Sequence, residues 1–257
     1  TSAVATLTVT DPFITSHPAS RINNAGTTAT FSVSAAGTGL SYVWKKGGST
    51  LSGGNVTGGT TRTVTISSVA QSDAGSYSVE VTGADGPVLS SSATLTVIDP
   101  PAITGGPDSR TNNAGTAATF TITATGTTPF SYQWKKNGSN LADFGNVSGA
   151  TSGTLTISSL LWADQGSYSV IVTNPAGIAA STNAVLTVID PAVNTQPADQ
   201  IATVGGSASF GVGAAGTTLA YQWRSNGVYL AGETLGSLAV HGVATGNEGD
   251  LYSVEVN

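Results

Sequence analysis

The sequence of 257 residues predicts an all-β protein in which one small β-sandwich is repeated in tandem. A strand with a tryptophan and a later strand with a tyrosine recur at a period near 90 residues. Short segments alternate apolar and polar residues between turn signals, and no stretch shows a helical period. Charged residues make up only 9% of the chain, and Ser, Thr, Gly, Ala and Val are abundant, as in short strands and tight turns. The recurring pairs, which we take as the core signature of each copy, are Trp44 with Tyr77, Trp134 with Tyr168, and Trp223 with Tyr252.

Near-identical Asp-Pro joints divide the chain at Asp11-Pro12, Asp99-Pro100 and Asp190-Pro191. Because proline fixes its own φ and restricts the residue before it, such joints are expected to be semi-rigid, so that the domains stand end to end as a rod. We therefore expect a strand in residues 1–10 that completes a neighbouring domain, full domains in 11–98 and 99–189, and a third domain in 190–257 that lacks its last strand.

The motifs within each copy follow one order: a Trp strand, a Leu-x-Ile type strand, an Asp-x-Gly-x-Tyr-x-hydrophobe segment and an alternating last strand. The second copy carries this pattern in Trp134, Asp164, Gly166, Tyr168 and Val170, and the first carries it in Trp44, Asp73, Gly75, Tyr77 and Val79. The pattern resembles the immunoglobulin fold of the intermediate-set type, closest to the cysteine-free immunoglobulin-like repeats of large bacterial surface proteins. The third copy departs from it, because Glu248 stands at the Asp position and Asp250 replaces the Gly.

In the family that the pattern resembles, a disulfide joins the second strand to the residue two positions after the signature tyrosine. This chain contains no cysteine, so other residues must stand at those positions. The matching positions hold aliphatic pairs, which are Val33 with Val79, Ile122 with Val170, and Val212 with Val254. The resemblance also implies tyrosine corners at Tyr77, Tyr168 and Tyr252, where each hydroxyl binds a backbone group slightly upstream. In a secreted β-protein, the absence of cysteine favours a bacterial origin.

The final strand of the third copy is absent from the sequence, and a spare strand stands at the start. By register, Asn257 corresponds to Thr173 and Thr1 to Ala180. The spare strand places Ala3, Ala5, Leu7 and Val9 on one face, and its equivalents at residues 93–97 and 184–188 each close a repeat. Either this strand inserts into the third domain of the next molecule, giving a head-to-tail homopolymer, or the chain is a window of a longer tandem array that supplies the strand itself.

The sequence argues against several functional classes. The net charge is −6 and the eight Lys and Arg residues are scattered, so we expect neither nucleic acid binding nor membrane insertion. His17 and His241 lie in different repeats with no acidic or cysteine partner at ligand spacing, and one Asp per joint is too few for calcium. We therefore expect no catalytic residues, no metal and no cofactor.

These observations predict a structural extracellular fibre or stalk, located outside the cell or on its surface. The alternative is an adhesin or carbohydrate-binding module of a large secreted protein, with a glycan or cell-surface ligand. An exposed aromatic patch on one domain would favour this alternative. The aromatic residues that the strand pattern does not require are Trp162, Phe130, Phe144 and Tyr229.

Overall fold

A computed structural model describes residues 4–6 and 9–257 of the chain. The described residues form β-strands and three single-turn 3₁₀ helices, without an α-helix among them. They divide into two compact units. The first unit comprises the residues up to Ala102 together with Thr125–Phe130 and Thr173–Ala179. The second unit comprises Ile103–Ala124, Ser131–Val172 and Ala180–Asn257. The joint between the first and second copies lies inside the first unit, and the joint between the second and third copies lies inside the second.

The first repeat contains eleven strands and one 3₁₀ helix. They are β1 (Phe13–Ser16), β2 (Arg21–Asn24), β3 (Ala29–Ser32), β4 (Ser34–Ala36), β5 (Ser41–Lys46), β6 (Ser49–Thr50), β7 (Val56–Thr57), β8 (Thr63–Ile66), η1 (Gln71–Asp73), β9 (Gly75–Gly83), β10 (Gly86–Leu89) and β11 (Ala93–Ile98). One sheet has the order β2-β11-β9-β5-β6 with β10 on β9, and another has the order β3-β8-β7. Strand β11 pairs parallel with β2 and antiparallel with β9, so it closes the sheet between two strands that are distant in sequence.

The second repeat has the same strand orders. Its elements are β12 (Ala102–Gly105), β13 (Arg110–Asn113), β14 (Ala118–Thr121), β15 (Thr123–Thr125), β16 (Ser131–Lys136), β17 (Ser139–Asn140), β18 (Val147–Ser148), β19 (Thr154–Ile157), η2 (Trp162–Asp164), β20 (Gly166–Asn174), β21 (Gly177–Ala180) and β22 (Ala184–Ile189). Strand β22 takes the place of β11, parallel to β13 and antiparallel to β20.

The third repeat contains seven strands and one 3₁₀ helix. They are β23 (Ala192–Thr195), β24 (Ser207–Gly211), β25 (Gly213–Ala215), β26 (Tyr221–Ser225), β27 (Val228–Tyr229), β28 (Ser237–His241), η3 (Thr245–Asn247) and β29 (Tyr252–Val256). The predicted all-β class with tandem repeats is confirmed, whereas the exact domain limits and the rod-like arrangement stay predictions.

A stacked Phe–Tyr pair beside a buried tryptophan forms the centre of each core. The ring centroids of Phe31 and Tyr77 lie 4.9 Å apart, and those of Phe120 and Tyr168 lie 5.0 Å apart. All three signature tryptophans are fully buried, and each indole N–H donates to a backbone carbonyl. The aliphatic pairs at the disulfide positions of the first two repeats are also buried, with Val79 and Val170 fully enclosed. Packed side chains thus fill the place of a covalent bridge in these two sandwiches.

The tyrosines of the first two repeats bind the chain just before their strands. The Tyr77 hydroxyl donates to the Asp73 carbonyl, and the Tyr168 hydroxyl donates to the Asp164 carbonyl, both at 2.6 Å. Burial, followed by the nearby Asp73 carboxylate, raises the pKa of Tyr77 to about 12. Burial and the Asp164 carboxylate also raise the pKa of Tyr168. Both phenols are therefore held protonated as donors.

The third repeat departs from this arrangement, because one extra residue lies between its 3₁₀ helix and Tyr252. Asn247 accepts the Ala244 N–H at 2.9 Å, as the Asp73 carboxylate accepts the Ala70 N–H. The assignment of Glu248 to the Asp position is therefore wrong, since counting back from the tyrosine overlooked the insertion. The Tyr252 hydroxyl lies close enough to the Asp250 carboxylate to help lower its pKa.

The substitution Tyr77→Phe is expected to destabilise the first repeat by about 1–3 kcal/mol, because it leaves the Asp73 carbonyl without its buried donor. Tyr252→Phe is the matched comparison. It is expected to cost less, since Tyr252 is only half-buried. Hydrogen exchange of the β9 and β29 amides measures the two local effects. If β9 and β29 lost hydrogen-exchange protection equally, the Tyr77 hydroxyl would not be the more stabilising of the two, and the prediction would be wrong.

The aspartate at each later joint receives a hydrogen bond from the 3₁₀ helix of the preceding repeat. The Asp99 carboxylate accepts the Gln71 side-chain amide at 2.9 Å. The Asp190 carboxylate accepts the Trp162 backbone N–H at 2.9 Å, and also the backbone N–H and hydroxyl of Thr217. Gln71 and Trp162 both begin their helices, so the two joints use the same position in different ways.

The hydrogen bonds at Asp190 predict an acid-sensitive joint. They lower the carboxyl pKa, chiefly through Thr217, from an ordinary value of 3.8. A pKa that is lower in the folded state gives stability that is present above the unfolded value and is lost as pH falls through the folded value. Asp190→Asn is therefore expected to lower the melting temperature at neutral pH, and this difference should shrink as the pH falls below 3.8 and vanish once it has passed the lowered folded-state pKa. Thermal scans across pH measure it, with the exposed Asp108→Asn as the control. A difference that persists unchanged in acid would refute this role.

Candidate functional site

The last strand of each of the first two repeats fills a specific slot in the sandwich. In β11, Ala93, Leu95 and Val97 are at most 3% exposed, whereas the threonines between them face solvent. In β22, the equivalent residues Ala184, Leu186 and Val188 are at most 2% exposed. The slot therefore accepts a strand with one small and two larger apolar residues at alternate positions.

The corresponding slot of the third repeat is open. Its aromatic sheet has the order β27-β26-β29, so β29 lies at an edge within the described part of the chain. In the first repeat, the equivalent strand β9 is covered by β11. The open edge presents unpaired backbone groups, which is the feature that a further strand would satisfy.

The opposite wall of the slot is formed by residues 200–204. Gly205 donates to the Val243 carbonyl, just as Gly26 donates to the Val69 carbonyl, so residues 200–203 correspond to β2. They form no strand here, since a parallel partner such as β11 is missing beside them. Ile201 is fully exposed and Val204 is 73% exposed. This wall was not predicted from the sequence, although the paired glycines Gly205 and Gly206 after it mark the same turn as Gly26.

Between the two walls lies a groove with a volume of about 440 Å³. Its apolar lining includes Ile201, Val204, Phe210, Val240, Val243 and Tyr252. Phe210, Val240 and Tyr252 are only half-buried, whereas their counterparts in the first repeat, Phe31, Ile66 and Tyr77, are at most 1% exposed. The groove thus exposes part of the hydrophobic core that the last strand covers elsewhere.

The floor of the groove has the same geometry as in the closed repeats. Phe210 stacks on Tyr252 with centroids 4.6 Å apart, and Trp223 is fully buried beside Phe210. The aromatic frame of the third repeat is therefore present without a strand in the position of β11.

One rim of the groove is acidic and polar. Asp250 accepts the side-chain amides of Asn226 at 2.7 Å and Asn247 at 3.0 Å. These bonds, Asn247 first, lower the carboxyl pKa of Asp250, so the rim carries a negative charge near neutral pH. Glu248 also lines the groove on this side. The groove thus combines an apolar lining with a charged and polar rim.

The predicted inter-subunit strand at the chain start is described only in part. Ala3 and Leu7 lie outside the described residues. Ala5 is exposed and Val9 is 73% exposed, and neither belongs to a strand. The structure therefore does not bring Ala5 and Val9 into a sandwich of this chain, and the donation of this strand stays a prediction.

The remaining candidates for chemistry have structural partners. The His17 ring accepts the Ser91 N–H at 3.1 Å, and the His241 ring lies 2.9 Å from the Ser207 hydroxyl. Within the described ranges, no three His, Asp or Glu side chains cluster as a metal site would require. No helix in the described part of the chain is long and apolar enough to span a membrane.

Comparison with protein families places both complete repeats in the immunoglobulin class. Residues 101–188 match the immunoglobulin I-set domain, and residues 11–82 match an immunoglobulin domain family. Among curated proteins, sax-3 of Caenorhabditis elegans is 28% identical over 163 residues. These residues are 63% of this chain but only 13% of sax-3. Since this relative is an animal protein, the match gives no support to the predicted bacterial origin.

Solved structures agree on the fold. The titin I-band fragment I67-I69 is similar with a TM-score of 0.64 and 20% identity, over 97% of this chain and 94% of the fragment. The first two immunoglobulin domains of DIP-gamma are similar with a TM-score of 0.52 and 18% identity, over 70% of this chain and 98% of that one. At these identities the likeness concerns the fold alone. The chain is therefore built of immunoglobulin-type domains in tandem, and its second repeat is of the I-set type.

Proposed function

We propose that this chain is a structural fibre or stalk segment of an extracellular or cell-surface protein, in which every immunoglobulin-type domain is closed by a strand like β11. The observation that carries this proposal is the open groove of the third repeat, beside two repeats whose equivalent slot is filled. A domain of this kind joins to its neighbour by accepting a strand.

The energetics favour occupation of the groove. Burying a leucine and a valine there contributes about 1.5–3 kcal/mol for each side chain. Each backbone hydrogen bond to the edge of β29 adds roughly 1 kcal/mol. The unfilled groove leaves Phe210 and Tyr252 partly in water, so occupation of the groove removes apolar surface from water.

Two sources of the strand are compatible with this function. The first strand of a following copy gives a head-to-tail homopolymer, and a further segment of one longer chain gives a continuous tandem array. In both, the inserted strand leads through an Asp-Pro joint into the next domain.

A synthetic peptide with the sequence of residues 181–191 is expected to bind the groove in the third repeat of the full chain. The peptide contains the sequence of β22, which is the last strand of the second repeat. Binding should slow hydrogen exchange in β29 and in residues 200–204, and should raise the melting temperature of the third repeat. Hydrogen exchange with mass spectrometry and thermal scans measure these effects. The full chain with Leu7→Asp serves as the recipient, so that its own first strand does not compete.

The matched control peptide carries Leu186→Asp, which places a charge where the native leucine is 1% exposed. It is expected to leave both regions unprotected. If the native and control peptides protect the groove equally, or if neither does, the groove is not a strand-binding site and the proposed function fails.

The adhesin alternative is favoured by two exposed aromatic side chains in the second repeat. Trp162 is 60% exposed and Phe144 is 85% exposed. The first repeat has Gln71 and Gly53 at these positions, so the aromatic residues are not a requirement of the fold. Surface aromatics that the core does not need are typical of binding sites for sugars and proteins.

If the second repeat binds a glycan or a cell-surface protein, replacing Trp162 and Phe144 together by Ala should reduce binding at least about tenfold, as for the loss of interface anchor residues. Glycan arrays and cell-binding assays with the full chain measure this. The control is Val228→Ala, an exposed apolar residue of the third repeat. No binding by the unsubstituted chain at high concentration would exclude the alternative.

A further inference from the structure

We propose that the groove of the third repeat is a binding site for residues 5–10 of a second copy of this chain, in the register that β11 has in the first repeat. This inference rests on the proposed function, and it commits to one of the two strand sources. The partner is an identical chain, and the ligand is an extended apolar segment.

The sequence of the segment identifies it as an occupant. Residues 5–9 read Ala-Thr-Leu-Thr-Val, and residues 93–97 of β11 read the same five residues. In β11 the Ala, Leu and Val of this run are buried, and both threonines are exposed. A segment identical to the native filler of one repeat fits the homologous slot of another, because side-chain size and alternation are both matched.

The pairing of β11 fixes the expected register. Ala93 lies opposite Tyr77 and Leu95 lies opposite Gly75 in the antiparallel ladder. The equivalent pairs across two molecules are Ala5 with Tyr252 and Leu7 with Asp250. On the other side, Leu95 lies opposite Arg21 in the parallel ladder, which places Leu7 beside Gln200.

One backbone hydrogen bond at the end of this strand recurs in both closed repeats. The Ala25 N–H donates to the Ile98 carbonyl, and the Ala114 N–H donates to the Ile189 carbonyl, each at 2.9 Å. The same bond in the third repeat joins the Val204 N–H to the Thr10 carbonyl. Insertion thereby orders residues 200–204 as a strand parallel to the donor.

The other recurring bond lies near the start of the strand. The Thr94 N–H donates to the Ser20 hydroxyl, and the Val185 N–H donates to the Ser109 hydroxyl, each at 2.9 Å. Asp199 occupies this position in the third repeat, so its carboxylate is the acceptor for the Thr6 N–H. A charged acceptor makes this the stronger version of the bond.

The residue after the strand completes the joint. Asp190 accepts the Thr217 N–H in its own repeat and the Trp162 N–H from the preceding one. Asp11 likewise accepts the Thr38 N–H in its own repeat, at 2.9 Å. In the inserted state, Thr245 of the recipient holds the position of Trp162, and its backbone N–H is placed to donate to Asp11. The joint between copies therefore repeats the joint within the chain.

Disulfide trapping between two separately prepared full chains tests the register. Thr94 lies opposite Ser76 with both residues exposed, so the equivalent pair is Thr6 with Leu251. One chain carries Thr6→Cys and the other carries Leu251→Cys, and neither has another cysteine. Directly opposite strand positions lie within disulfide reach, so mild oxidation of the mixture is expected to give a mixed dimer.

The control recipient carries Ser253→Cys, which is two residues out of register on the same face. It is expected to form at least about tenfold less mixed dimer than Leu251→Cys, because diagonal positions exceed disulfide length. Equal trapping in both registers, or trapping in neither, would overturn the proposal. Mass spectrometry of the linked peptides identifies the cysteines that are joined.

Two donor variants test the side chains. Leu7→Asp is expected to abolish trapping, since the equivalent Leu95 is 1% exposed. Thr8→Lys should preserve it, since the equivalent Thr96 faces solvent. Undiminished trapping with Leu7→Asp would show that insertion does not occur.

The peptide of residues 181–191 separates the two levels of inference. If it binds the groove while the chain's own first strand is not trapped, the proposed stalk function stands and the occupant is a further segment of a longer chain. If neither binds, both conclusions fail. If the peptide and the first strand of a second copy both bind the groove, the peptide should reduce the yield of the mixed disulfide dimer. An unchanged yield would contradict the conclusion that they bind the same site.

Discussion

The stacking of a phenylalanine on a tyrosine beside a buried tryptophan is the contact on which each repeat depends. In the first repeat, Phe31 and Tyr77 bring the two sheets together at 4.9 Å, and the indole of Trp44 is anchored to the Thr61 carbonyl. Aromatic burial of this extent supplies the packing energy that related domains share with a disulfide. The same stack is present in the third repeat, where no strand of the described residues takes the place of β11.

The last strand is a different kind of element from the rest of the sandwich. It pairs with one strand from the start of the repeat and another from its end, so it joins the most distant parts of a domain. The last strand therefore mainly shields a core that the other strands already assemble. This explains why Trp223 is fully buried in the open repeat while Phe210 and Tyr252 are only half-buried.

Much of this organisation could be predicted from the sequence because it repeats. The period of the Trp and Tyr strands indicated the tandem β-sandwich, and the comparison of strand ends predicted a third repeat without its last strand. The inserted residue before Tyr252 was hidden, since Asp and Gly positions were counted from the tyrosine and not from the 3₁₀ helix. The wall at residues 200–204 was also hidden, because its residues form a strand only when a partner lies beside them. The hydrogen bond of Trp162 to Asp190 involves the backbone, and side-chain identity carries no signal for it.

The parallel pairing of β11 with β2 has a mechanical consequence. Tension that enters a repeat near the start of β2 and leaves at the end of β11 pulls these two strands in opposite directions along their length. The hydrogen bonds between them are then loaded together in shear, and must break nearly at once instead of one after another. A domain closed by a strand from another segment would carry load through that same ladder of hydrogen bonds.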